Sequence, residues 1–157
     1  MLTLARLLAT HEFAGVEEAA LRRAVSTAYY AVFQLLVSAT ATNWGRDETR
    51  SAFGRLLDHG KMKAASEKKI AEIKKRIKAA PEAADLANDR KIRLVAEAFV
   101  LLHQQRTSAD YDTSQKWSPT DVLSIVDVAE SAFREWRLVE NSTEAQAFLF
   151  TFLAKDR

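Results

Sequence analysis

The sequence predicts an all-α protein, an antiparallel bundle of five to seven helices. Punctuation is sparse: 157 residues hold four Gly and two Pro, set among abundant Ala, Leu, Glu, Lys and Arg, residues that favour helix. Apolar side chains return at intervals of three and four, as in Ile92-Val95-Phe99-Leu102, and nowhere alternate as strand residues do. The connections between predicted helices are short, which makes successive helices antiparallel neighbours.

The first helix is expected from Leu2 to about Thr10, ending before a break at His11–Gly15. The second runs from about Val16 to Thr42 and turns Leu21, Val25, Ala28, Val32 and Leu35 or Leu36 inward. It stops at Asn43-Trp44-Gly45, where Gly45 suits a left-handed cap. A third spans roughly Asp47 to Leu57, followed by a turn at Asp58-His59-Gly60. The fourth, about Ser66 to Ala79, takes Ser66 as its N-cap, ends before Pro81 and carries a narrow stripe of Ile70, Ile73 and Ile77. The fifth begins near Ala83 or Asn88 and ends at Arg106. In the sixth, Ser118 caps, Pro119 fits the first helical position and Asp121 favours the positive end of the dipole. Its inward row is Val122, Val126, Ala129, Phe133 and Trp136. After a break near Asn141-Ser142-Thr143, a last helix from Glu144 to about Lys155 carries Phe148, Leu149, Phe152 and Leu153. So apolar an end packs either on its own bundle or on a second subunit.

Length and composition suit one domain over residues 1–157, with 48% apolar and 28% charged residues. Cysteine is absent, which excludes a disulfide framework and thiolate metal sites and fits a reducing cytoplasm. The opening MLTLARLLATHEF is too interrupted for a signal peptide, and no apolar run approaches transmembrane length, so a cytoplasmic protein without a membrane partner is expected. A net charge of +2 does not by itself argue for nucleic acid. Lys61 to Arg93 is nonetheless basic, with eleven Lys and Arg against five Asp and Glu. Such a segment is more often a solvated helix face than a phosphate-binding one.

Arg106 is the residue that most invites function. It closes the row Ile92-Val95-Phe99-Leu102, where a guanidinium must be met by a carboxylate, a phosphate or a partner chain. Asp110, four residues on, can pair with it, and the acidic turn around it carries the Tyr111 hydroxyl and Asp112. His103 lies one turn earlier on part of the same face. Tyr30 belongs to a polar row, Arg23-Thr27-Tyr30-Gln34, on an otherwise apolar helix, and can line the same cleft; Tyr29 reads as core. His11 and His59 fall in turns and read as surface residues. Scattered histidines without paired spacing argue against a metal site, and no Gly-rich loop calls for a nucleotide cofactor.

Two stretches together resemble the HEPN superfamily of small prokaryotic helical proteins. Leu21-Arg22-Arg23-Ala24-Val25-Ser26-Thr27-Ala28-Tyr29-Tyr30-Ala31-Val32-Phe33 is similar to its R-A-x-x-x-A-Y-Y-A-x-F helix. Arg106-Thr107-Ser108-Ala109-Asp110-Tyr111-Asp112 is similar to its R-x-x-A-D-Y-D signature, and Ser118-Pro119 opens a long helix containing Ala129-Glu130 and Phe133, as in that group. The resemblance covers about Leu21 to Trp136. It implies two long antiparallel helix pairs dimerised along a shared face, and a toxin–antitoxin or antiviral defence module that engages RNA, often beside a nucleotidyltransferase antitoxin.

In ribonuclease members an R-x(4–6)-H motif forms a composite, metal-independent site. Its Arg stabilises charge on the phosphate while its His moves a proton. Here no His follows Arg106, and Tyr111, Asp112 and Thr113 fill the three positions where one belongs. Tyrosine, with an ordinary pKa near ~10, is a poor proton shuttle at neutral pH, so His103 becomes the candidate proton carrier. Tyr30, Asp110 and Tyr111 join Arg106 as candidate RNA- or nucleotide-binding residues. The competing expectation is a non-catalytic dimeric interaction domain that binds a nucleotidyltransferase or another protein.

Overall fold

A computed structural model describes residues 1–46, 48, 52 and 54–154, and among them every regular element is helical. The α-helices are α1 (Leu2–Thr10), α2 (Glu17–Trp44), α3 (His59–Ala79), α4 (Ala87–Tyr111), α5 (Pro119–Val139) and α6 (Thr143–Thr151). A 3₁₀ turn at Ala84–Leu86 leads into α4. Of the expected helix over 47–57, residues 47, 49–51 and 53 lie outside the described residues, as does Lys155.

α2 is the axis of the bundle. It packs against α1, α4, α5 and α6, while α3 lies on α4. From Ala24 to Phe33 every residue of α2 except Tyr30 is buried, so this helix has core on nearly all sides instead of one apolar stripe. By length and mean hydropathy (1.3) α2 matches a membrane span, yet 72% of that window is buried inside the protein, as in a core helix. The main core gathers Tyr29, Leu36, Phe99, Leu102, Trp136 and Phe148. A second cluster of Leu21, Ala24, Val25, Ala109, Trp117 and Val122 closes the end where α2 begins and α4 stops.

The inward row of α4 is as expected: Ile92, Val95, Phe99 and Leu102 are all buried. In α5, Ala132 is buried where Phe133 was expected, and Phe133 is half-buried beside the core. The apolar end packs on its own chain, with Phe148, Leu149 and Phe152 buried and Phe150 exposed. The basic segment behaves mainly as a solvated face. Ile73 is buried with Ile70 and Ile77 beside it, while Lys63, Lys69, Lys74, Arg76 and Arg93 each meet a carboxylate.

Three expected boundaries are corrected. Gly45 is extended (φ −88°, ψ 135°), not left-handed, and its N–H closes α2 by donating to the Ala41 carbonyl. α3 starts a full two turns early: Asp58 is the N-cap, accepting from the Lys61 N–H at 2.9 Å, so His59 and Gly60 are its first turn and not a loop. Ser66 is wholly buried within α3, its hydroxyl donating to the Met62 carbonyl. α4 continues past Arg106 to Tyr111, because its last carbonyls find a cation, as described next.

Candidate functional site

The two motif-bearing stretches meet. α2 and α4 run antiparallel, and polar residues one turn apart on α2 each reach the end of α4. Arg22 spreads its guanidinium over three carbonyls, those of Ala109 (2.9 Å), Asp112 (2.9 Å) and Gln115 (2.5 Å), while its Nε donates to Glu18. A helix C-terminus leaves carbonyls without partners, and a forked cation answers several at once. This carries α4 beyond Arg106. One turn on, the buried Ser26 hydroxyl donates to Asp110 Oδ1 at 2.6 Å. A turn further, Tyr30 Oη accepts from Arg106 Nη2 at 3.1 Å.

Arg106 Nε lies 2.8 Å from Asp110 Oδ2, an ion pair within α4 whose side chains are 18% and 31% exposed. The Nε–H is not aimed at that oxygen and has no hydrogen-bond partner. Among the described residues, Tyr30 is the one hydrogen-bond acceptor that Arg106 engages, so most of its five N–H groups remain available. The guanidinium carbon sits 5.6–5.9 Å from the ring centres of Tyr30, Tyr29 and Tyr111, a cation held among aromatic rings. Burial works against its charge, but Tyr30 and Asp110 outweigh that and hold its pKa above the ordinary value.

Tyr29 is buried as expected and forms the floor. Its ring stacks on Phe99, meets the His103 ring edge-on at 5.6 Å, and its hydroxyl lies 2.5 Å from His59 Nδ1. Burial pushes the Tyr29 phenol far up, so it stays protonated. His59 is thereby corrected from a surface turn residue to a half-buried site residue, stacked on Phe33 with ring centres 4.0 Å apart. Both imidazoles are held below their ordinary pKa. Burial is the larger cause, with Arg106 adding to it at His59, and Lys63 and Arg106 adding to it at His103. Two neutral imidazoles and a permanent cation are therefore gathered around the Tyr29 ring.

The structure thus brings together Arg106, His103, Tyr30 and Asp110, and leaves Tyr111 at the rim, 72% exposed. In the expected polar row, Thr27 is spent on the Arg23 carbonyl and Arg23 itself is exposed. Asp112 folds back on Ser114, which lowers its pKa, so it serves the turn. Among the described residues no group of three or more His, Asp or Glu is arranged to hold a metal. The sequence hides His59 behind Asp58-His59-Gly60, and the one local clue is that Asp58 suits a helix N-cap as well as a turn. No family model, curated protein or solved structure matches the chain.

Proposed function

We propose that the chain is a HEPN-like, homodimeric component of a prokaryotic toxin–antitoxin or defence module that engages RNA, with Arg106 as its phosphate anchor. The observation that carries this reading is a guanidinium 18% exposed with unspent donors, gathered with two neutral imidazoles around the Tyr29 ring. Such a cation can take a phosphodiester by charge-assisted hydrogen bonds. In the catalytic form, an imidazole accepts the proton of the ribose 2′-hydroxyl as that oxygen attacks the adjacent phosphorus. Arg106 stabilises the charge gathering on the phosphoryl oxygens, and the imidazolium formed in that first transfer returns its proton to the departing 5′-oxygen. His103 is the first candidate carrier. His59 is the second, and its Nδ1 contact with Tyr29 orients its ring.

Two observations favour the non-catalytic alternative, an interaction domain that binds a nucleotidyltransferase or another protein. Arg106 already answers Asp110, and Tyr111 stands outward where a modifying partner can reach it. Cleavage of total RNA by the purified protein in EDTA separates the two. Metal-independent cutting is expected, abolished in Arg106→Ala and reduced at least 100-fold (an order-of-magnitude figure for one acid–base group) in His103→Ala or His59→Ala. A folded, dimeric wild type that cuts nothing overturns the ribonuclease reading and leaves the interaction domain.

A further inference from the structure

The polar ladder on α2 does not end at Tyr30. Continued at the same interval of four it reads Arg22, Ser26, Tyr30, Gln34, Ser38, Thr42, six polar residues along the most buried helix of the protein. The first three are each spent on the end of α4. The last three are exposed, and no side-chain hydrogen bond engages Gln34, Ser38 or Thr42 among the described residues. They line an open cleft of about 690 Å³ together with Phe33, His59 and Arg55 and the apolar Val37, Ala41 and Leu57. That volume lies in the range of roughly 300–1,000 Å³ typical of small-ligand clefts.

We infer that this cleft receives an unpaired nucleobase of the RNA strand whose phosphate Arg106 holds. The inference rests on the phosphate-anchor reading above. The chemistry of the lining chooses the ligand. The Phe33–His59 stack offers an aromatic edge against which a base can lie, the Gln34 amide and the Ser38 and Thr42 hydroxyls offer both donors and acceptors, and Arg55 adds a cation for a neighbouring phosphate. An aliphatic ligand would waste the polar ladder, and a bare anion would waste the aromatic stack. The geometry also suits one nucleotide: each step of four rises about 6 Å and turns about 40° around α2, so Gln34 and Ser38 lie about 6 and 12 Å beyond Tyr30 along the axis on a path that winds around the helix. A paired base is stacked within its duplex and its Watson–Crick edge is taken, so it cannot enter such a cleft, and single strands are selected over duplexes.

The test uses the full chain and a single-stranded RNA octamer with one 2-aminopurine, beside the same octamer carrying an abasic residue there. Non-cleavable 2′-O-methyl sugars keep binding separate from any cutting. Expected for the wild type is quenching of 2-aminopurine on binding. Ser38→Trp, a substitution at an exposed helix position that fills the cleft, should weaken the aminopurine octamer about tenfold or more and leave the abasic one unchanged. Gln34→Ala should weaken it less and in the same direction. Binding that depends on Arg106 while 2-aminopurine stays bright and Ser38→Trp binds as wild type overturns the cleft and leaves the anchor standing. Absence of binding by folded wild type overturns the anchor, and the base cleft with it.

Discussion

At the residue scale, the informative pair is Tyr29 and His59. A fully buried phenol needs a hydrogen-bond partner, and among the described residues the one it meets is an imidazole from another helix. Burial, with Arg106 adding to it, keeps His59 neutral, and His103 is kept neutral by burial and nearby cations. The linkage to stability follows. Both groups hold folded-state values below the unfolded value of ~6.5, so near that pH the unfolded chain binds more protons than the folded one. Stability is therefore fully present above pH ~6.5 and declines as the pH falls through the folded values. Urea midpoints measured from pH 7.5 to 5 should drop for the wild type and drop less for His59→Gln/His103→Gln. An unchanged slope in the double variant would assign the acid sensitivity to other groups. Much of this neighbourhood was legible: Arg106 at the end of an apolar row announces a buried cation, and Asp110 and His103 follow from helical spacing. His59 did not, because its partner is thirty residues away in sequence, and no local pattern encodes that distance.

At the element scale, the end of α4 is decided by a side chain from α2. The sequence places the stop at Arg106, where the apolar row ends and polar residues begin, yet the helix continues to Tyr111 because Arg22 supplies the cation its carbonyls lack. Charged hydrogen bonds of this kind contribute about 1.5–3 kcal/mol each when well shielded, less here since Arg22 is 20% exposed. Arg22→Ala should cost about 2–3 kcal/mol, and hydrogen exchange should quicken over residues 106–112 before it quickens elsewhere. Arg22→Lys should recover little, since an ammonium lacks the planar fork that reaches three carbonyls. Equal exchange rates in wild type and Arg22→Ala would show that α4 holds its last turn without help. The start of α3 teaches the converse. Asp58 and Ser66 both suit an N-cap by sequence, and burial decides between them, since Ser66 lies in the core where no helix end can be.

At the scale of the whole molecule, composition and periodicity were enough for an all-helical chain, because each amphipathic row is a local signal. Which helices touch is not local, and neither is the difference between a one-sided helix and an axial one such as α2. Phe99 shows how closely stability and site are joined: it is buried in the main core and is also the ring beneath Tyr29. Phe99→Ala should lower stability by about 3–5 kcal/mol, read as a shifted midpoint with an unchanged denaturant slope, and should loosen Tyr29 enough to weaken RNA binding in parallel. A stability loss with full RNA affinity would separate the core from the site.

The antiparallel register of α2 and α4 has a consequence for descent. Ser26 opposes Asp110 and Tyr30 opposes Arg106, so one step of four forward along α2 is matched by one step of four back along α4. One residue inserted between Arg22 and Tyr30 would turn the later contacts about 100° away from their mates. Lineages carrying this chain can lengthen its loops freely, but they inherit these two stretches as a single unit. Where Ser26 changes, Asp110 should change with it, and where Arg106 is lost, Tyr30 should be free to become an ordinary core residue.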